Sequence, residues 1–224
     1  MDDTTSMLRD SVARLLADTV TPARTVAAEP AGIDAELWSA FAQLGLRGDE
    51  LELGLDAHMA VLQEIGRAAA LVPYAESEVL GRRLCAAAGL RPGEGTLAVL
   101  PEVADAAVDA RGAAMLRLHG CAVPWGRHAS RVMVLCRTGE GLLAAELEPG
   151  ALRLREETNM AGEPRDVGQS EAIEVPASRL HVLREAFAGD TLVLLGALCR
   201  TAPTLGALTA ANELALQYAQ DRKQ

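Results

Sequence analysis

Residues able to do chemistry are few in this chain, and their spacing excludes more than it suggests. The histidines His58, His119, His128 and His181 are scattered, with no spacing suited to a shared metal ion. Surface or structural roles are expected for each of them. Cys85, Cys121, Cys136 and Cys199 form no C-x-x-C and lie in apolar settings such as "RLCAAAG" and "VMVLC". Buried, reduced thiols are the expectation. Glu156 and Glu157 are adjacent and cannot face each other across a substrate, which predicts a solvated turn. Phosphate loops, G-x-G-x-x-G, H-E-x-x-H and G-x-S-x-G are all missing. No catalytic residue and no metal ligand is assigned.

The bulk composition narrows the class. Hydrophobic residues make up 50% and charged residues 23%, a core-forming balance. The formal charge of −10 argues against nucleic acid, which needs a basic field over its phosphates. An anionic small ligand stays possible, because local arginines can form a pocket in an acidic protein. Lys223 is the only lysine, and the excess of Arg, Ala and Gly points to GC-rich codon usage. Aromatics at 3% rule out stacking as a general binding strategy. The start, "MDDTTSMLRD", has no apolar signal core, and no uninterrupted apolar run reaches about 18 residues. A soluble, cytoplasmic chain with no membrane span is expected.

Three segments must position whatever site exists. Residues 1–90 predict four helices. Leu8, Val12, Leu15 and Leu16 recur at helical spacing behind Thr4 or Thr5 as N-cap. Leu37, Trp38, Phe41 and Leu44 share a face between an Asp34 cap and a left-handed Gly45. A third helix turns Met59, Leu62 and Ile65 inward, and a fourth opens at Pro73 and closes at Gly89. Residues 91–181 change to short runs such as "TLAVL", "AAMLRLHG", "RVMVLC", "LLAAEL", "ALRLRE" and "EAIEV". No helical pattern separates them, which predicts antiparallel pairing in a small barrel or sandwich. Residues 182–224 return to helix, about 60 Å long if continuous. Pro203 should kink it or loosen its ladder. Leu194, Leu198, Leu205, Leu208, Leu214 and Tyr218 mark an apolar surface that calls for further helices.

This order of parts, with "LALQYAQDRKQ" at its end, resembles the acyl-CoA dehydrogenase family. The tail is similar to the family's tyr-ala-x-x-arg-x-gln. "LQEIGRAAALVP" resembles its N-terminal helical stretch, and "CAVPWGRHASRVMVL" its middle domain. The resemblance implies an α+β fold: N-terminal helices, a middle antiparallel β-barrel, and the first helix of a C-terminal bundle that continues past Gln224. It implies FAD, with Arg222 and Gln224 reaching the cofactor's pyrophosphate of a neighbouring protomer, a task suited to a guanidinium's permanent charge and forked donors. Trp125 and Ser130 would lie beside the flavin. The bland alternatives are that Arg222 and Lys223 complement the helix dipole, and that Trp125 packs at a barrel edge.

Departures from the family pattern bear on activity. The flavin-binding thr-glu-pro-x-ala-gly-ser-asp should lie near "LAVLPEVADAAV", where only Glu102, Ala104 and Asp105 are reminiscent. The family's catalytic Glu belongs to bundle helices beyond these residues, so Glu213 is not assigned as base. The resemblance therefore implies α,β-dehydrogenation of an acyl-CoA, incomplete without the rest of the bundle. Equally, it allows a non-catalytic partner in a heteromeric enzyme, as in actinobacterial members acting on steroid side chains. Expected partners are an acyl-CoA, further copies or a competent subunit, and an electron-transfer flavoprotein.

Overall fold

The computed structural model describes residues 3–48, 53–100, 104–183 and 187–222, the side chains of His119 and Glu171 excepted. The helices are α1 (Asp3–Thr19), α2 (Pro22–Ala28), α3 (Ala35–Gln43), α4 (Leu55–Arg67), a π-helical segment (Ala75–Gly81), α5 (Arg82–Ala88) and α6 (Thr191–Asp221). The strands are β1 (Leu97–Val99), β2 (Ala104–Val108), β3 (Ala114–Pro124), β4 (Arg131–Thr138), β5 (Gly141–Leu147), β6 (Arg153–Arg155), β7 (Arg165–Val175) and β8 (Leu180–Val182). They form two compact units. One holds residues 1–45, 49–72 and 197–224; the other holds 46–48 and 73–196. Residues 73–88 thus group with the sheet rather than with the helices before them.

In the helical unit, local signals explain the elements. Asp34 caps α3, accepting from Leu37 N at 2.9 Å, and Gly45 follows it at φ 69°. Thr4 and Thr5 lie inside α1 rather than capping it, and α2 is an added turn of helix with Thr21 as its cap. Val12 and Leu16 of α1, with Leu37 and Phe41 of α3, are buried, as are Val61, Leu62 and Ile65 of α4. Helix α6 meets α4 at glycines. A Cβ on Gly66 would lie 2.0 Å from the Pro203 carbonyl oxygen, and one on Gly206 1.9 Å from that of Gln63. Only backbones stripped of side chains come this close. Beside them Arg67 and Glu213 form an ion pair.

Helix α6 begins at Thr191, not near 182, because Leu180–Val182 is claimed by the sheet as β8. Its 31 residues span about 46 Å, shorter than expected, and the helix runs unbroken through Pro203. Leu192, Cys199 and Gly206, seven residues apart, are its buried side, while Leu194, Leu205, Leu208 and Leu214 are more than half exposed. An 18-residue window of α6 averages a hydropathy of 1.4, enough by length and composition to cross a bilayer. Thr and Gly residues break the apolar run that the sequence reading required, without lowering the average below that threshold. A core helix of a soluble bundle meets the same criterion.

The sheet follows the order β6-β7-β3-β2-β4-β5-β8, with β1 also on β4. Most pairings are antiparallel, but β1 and β2 both run parallel to β4, end to end along one side of it. The expectation of purely antiparallel pairing fails there. The chain leaves β2 by the tight Asp109–Gly112 turn into β3 and reaches β4 only afterwards. Inward residues of β1 to β5 and β7, among them Leu116, Val123, Val132, Val134, Cys136 and Val175, share one core. The sheet therefore curls round its own interior. Met133 and Leu135, on the other side of β4, pack with Leu80, Leu84 and Cys85. Burial on both sides explains why "RVMVLC" is a continuous apolar run rather than an alternating one.

Candidate functional site

The turn between β3 and β4 carries Trp125 and Ser130. Strand β3 ends at Pro124, and Trp125 takes a left-handed conformation at φ 59°, a strain of about 1–3 kcal/mol for a residue with a Cβ. Its amide donates to the Pro164 carbonyl at 3.1 Å, and its carbonyl accepts from His128 at 3.0 Å. A single 3-10 turn, Gly126–His128, then leads to β4. A Cβ on Gly126 would meet Val123 at 2.8 Å, so the turn is pressed onto the core.

Buried charges fix this turn. Asp166, at the start of β7, is fully buried. Its carboxylate accepts from the Arg127 amide at 2.7 Å and from Arg127 Nε at 2.9 Å. Arg127 reaches on to Glu156 at 3.0 Å and to the Glu157 carbonyl at 2.8 Å. Asp166 raises the guanidinium's already high affinity for its proton. The Glu156–Glu157 pair is exposed, as a solvated turn should be, yet it also clamps Arg127. Asn159 closes the same loop, accepting from Ala161 N and Glu163 N.

Nearby, the π-helical segment is buried throughout, including Glu76, Ser77 and Glu78. Glu76 pairs with Arg165 at 3.1 Å, and Glu78 with Arg82 and Arg47. Ser77 Oγ accepts from Leu97 N at 3.2 Å, tying the segment to β1. The wider π turn carries three consecutive polar side chains to partners on different elements, a buried amide on β1 and half-buried arginines. Sequence reasoning read this stretch as an ordinary helix, because hydrophobic spacing does not distinguish the two forms over so short a run.

The sequence-predicted site residues are placed as follows. Trp125 is 1% exposed, and its indole Nε1 is buried with no acceptor among the described residues. The His128 ring lies 6.4 Å away, tilted. Ser130 is exposed, and its hydroxyl donates to the Thr96 carbonyl at 3.0 Å. Both belong to the sheet unit. Arg222 belongs to the helical unit, exposed, with its guanidinium 5.3 Å from the centre of the Tyr218 ring. Lys223 and Gln224 lie outside the described residues, as do Pro101, Glu102 and Val103 of the eroded motif. Ala104 and Asp105 are ladder residues of β2, opposite Cys136 and Arg137. All four cysteines are free and buried, and burial pushes the Cys136 thiol up to about 12. No metal-holding cluster occurs among the described residues.

These positions fit a flavin unevenly. A fully buried Trp125 offers no ring face to a cofactor, and the Ser130 proton is committed to Thr96. Strand β2 presents no hydroxyl donor. Arg222 alone keeps what a pyrophosphate contact needs: exposure, permanent charge, and a ring contact worth little at a solvated site.

No protein-family model and no curated protein matches the chain. Solved structures do. The chain is 21% identical to a chain of the ChsE4-ChsE5 complex from Mycobacterium tuberculosis, covering 100% of itself and 68% of that chain at a TM-score of 0.85. It is 20% identical to a Tcur3481-Tcur3483 steroid ACAD variant, covering 99% and 68% at 0.84. Butyryl-CoA dehydrogenase from Megasphaera elsdenii matches at 17% identity, 100% and 70% coverage, and 0.80. The chain has the fold of the acyl-CoA dehydrogenases.

Proposed function

We propose that this chain is a non-catalytic component of an acyl-CoA dehydrogenase-type enzyme, acting in the cytoplasm beside a flavin-bearing partner subunit. The observation that carries the reading is the ring-side turn. In a chain of this fold, Trp125 is sealed in the interior, Ser130 is tied to Thr96, and β2 supplies no hydroxyl. Two features agree with it. Two of the similar solved structures are the ChsE4-ChsE5 complex and the Tcur3481-Tcur3483 steroid ACAD, each with a paired name. The exposed leucines of α6 form an apolar surface of the kind that marks an interface. On this reading the chain supplies scaffold and contact surface, and the α,β-dehydrogenation of the acyl-CoA, with transfer to an electron-transfer flavoprotein, belongs to the partner.

A second reading is favoured by Arg222. The chain would be part of an acyl-CoA dehydrogenase-like flavoprotein in its own right, with Arg222 and Gln224 holding the pyrophosphate of FAD in a neighbouring copy. When bound, FAD would supply the hydride acceptor.

Flavin content separates the two. The chain is purified alone, incubated with FAD, desalted, and its visible spectrum recorded. A colourless protein is expected. Near-stoichiometric flavin absorbance would overturn the first reading in favour of the second. Affinity purification from the native host should then yield flavin that co-elutes with a separate acyl-CoA dehydrogenase chain, identified by mass spectrometry.

A further inference from the structure

We propose that the outer face of β6, β7 and β3 carries a binding groove for a phosphate-bearing small molecule of nucleotide size, a site independent of the reading above. The groove has a volume of about 680 Å³ and is lined by Gly120, Gly150, Ala151, Arg153, Gln169, Ser170 and Ala172. That lies within the range of about 300–1,000 Å³ usual for small-molecule clefts, and far exceeds what a lone ion fills.

The sheet register builds it. Arg153 is opposite Gln169 on β7, and Gln169 is opposite His119 on β3. Leu154, the next residue of β6, packs against the interior, so alternation turns Arg153 outward. Directly opposed residues stand about 5 Å apart, which brings the Gln169 amide beside the Arg153 guanidinium. Strand β3 is irregular here: His119 and Cys121 face consecutive residues of β7, Gln169 and Gly168, which leaves Gly120 as an extra residue outside the ladder. Gly120 is left-handed at φ 63°, and a Cβ there would meet nothing within 4 Å. Gly150, in the turn before β6, also opens onto free space. The bulge removes a side chain from the groove and presents bare backbone to it.

The charge of the groove favours an anion. Among the described residues of its lining, Arg153 is the one that carries a charge. It makes no ion pair or hydrogen bond among the described residues, although the protein carries a net charge of −10. Arg155, two residues on and on the same face of β6, behaves differently: it pairs with Glu157. The Ser170 hydroxyl donates to the Ala172 carbonyl at 3.4 Å, so the donors left for phosphate oxygens are an unpaired guanidinium, the side-chain amide opposite it and unladdered glycine backbone. The room beyond one phosphate is walled by Ala151 and Ala172, which can take an uncharged moiety.

The test is titration of the whole chain with ADP, followed by backbone amide NMR. Saturable shifts are expected at Gly120, Gly150, Gln169 and Ser170, weakening with added salt. Arg153→Ala should lower the affinity about tenfold or more, and Arg153→Lys should lose part of it because the fork is gone. Arg155→Ala, on the same strand and already paired, should change it little. Adenosine should not produce the shifts. Absence of saturable shifts with millimolar ADP, equal binding of adenosine, or equal losses from Arg153→Ala and Arg155→Ala would overturn the proposal. Flavin content decides the function proposed above and is unaffected by any of these results.

Discussion

Replacing Gly206 by Ala tests how closely α4 and α6 approach. Its new Cβ would lie 1.9 Å from the Gln63 carbonyl oxygen, 2.8 Å from Arg67 N and 2.9 Å from Gln63 C. These three nearest atoms are all backbone, so no rotamer change relieves the clash. Ordinary contact begins at 3.4 Å, so the helices must part by about 1.5 Å at that point. Overpacking of this kind costs about 1–3 kcal/mol, occasionally more. Against it stands the gain of about 1 kcal/mol when Ala replaces Gly inside a helix. A backbone clash this deep belongs in the upper part of that range, about 2–3 kcal/mol, so it should win by about 1–2 kcal/mol, and the Arg67–Glu213 pair beside it should be pulled apart. For a chain of this size each kcal/mol moves the midpoint by about 2–4 °C. Thermal unfolding followed by far-UV circular dichroism should therefore show Gly206→Ala melting about 2–8 °C lower. Gly139→Ala, where a Cβ meets nothing within 4 Å, is the neutral control. A rise in the midpoint for Gly206→Ala would mean that helix propensity alone decides, and the close backbone approach would be refuted.

Other expectations follow from buried polar groups. Asp34 caps α3 and bonds Arg24, whose guanidinium, with the Leu37 amide, holds its carboxyl below the usual range. Asp34→Ala should cost about 2–4 kcal/mol in urea unfolding, and Asp34→Asn less, since an amide oxygen still caps. Because the folded-state pKa is depressed, the wild-type advantage over Asp34→Asn should be full above the ordinary Asp range. It should fade as pH falls through the lowered value; an advantage constant down into strong acid would exclude the Arg24 contact. Asp166→Asn removes the buried partner of the half-buried Arg127, which keeps the exposed Glu156, and should cost about 1–3 kcal/mol, read as a lower urea midpoint. All four thiols are buried, so a thiol reagent at mildly alkaline pH should label none in the native protein and all four in urea. Fast labelling of Cys136 in the native state would contradict its burial.

Much of this architecture was written locally. The Asp34 cap, the left-handed Gly45 and Gly89, the opening at Pro73 and the apolar run of β4 each depend on residues a few positions apart, and short-range spacing reveals them. The order of helices, sheet and long helix was legible for the same reason. The tail's resemblance pointed to the fold that the solved structures share. What tertiary structure decided depends on partners far along the chain. Gly66 and Gly206 have meaning only because their helices, some 140 residues apart in sequence, meet there. Val182, read from the sequence as the start of the long helix, became the end of a strand because β5 offered an edge. The parallel placement of β1 and β2 on β4, the sealing of Trp125 and the groove opened by the Gly120 bulge belong to the same class. A side chain's periodicity states which way it faces; only the folded neighbours state whether that face meets core, partner or solvent.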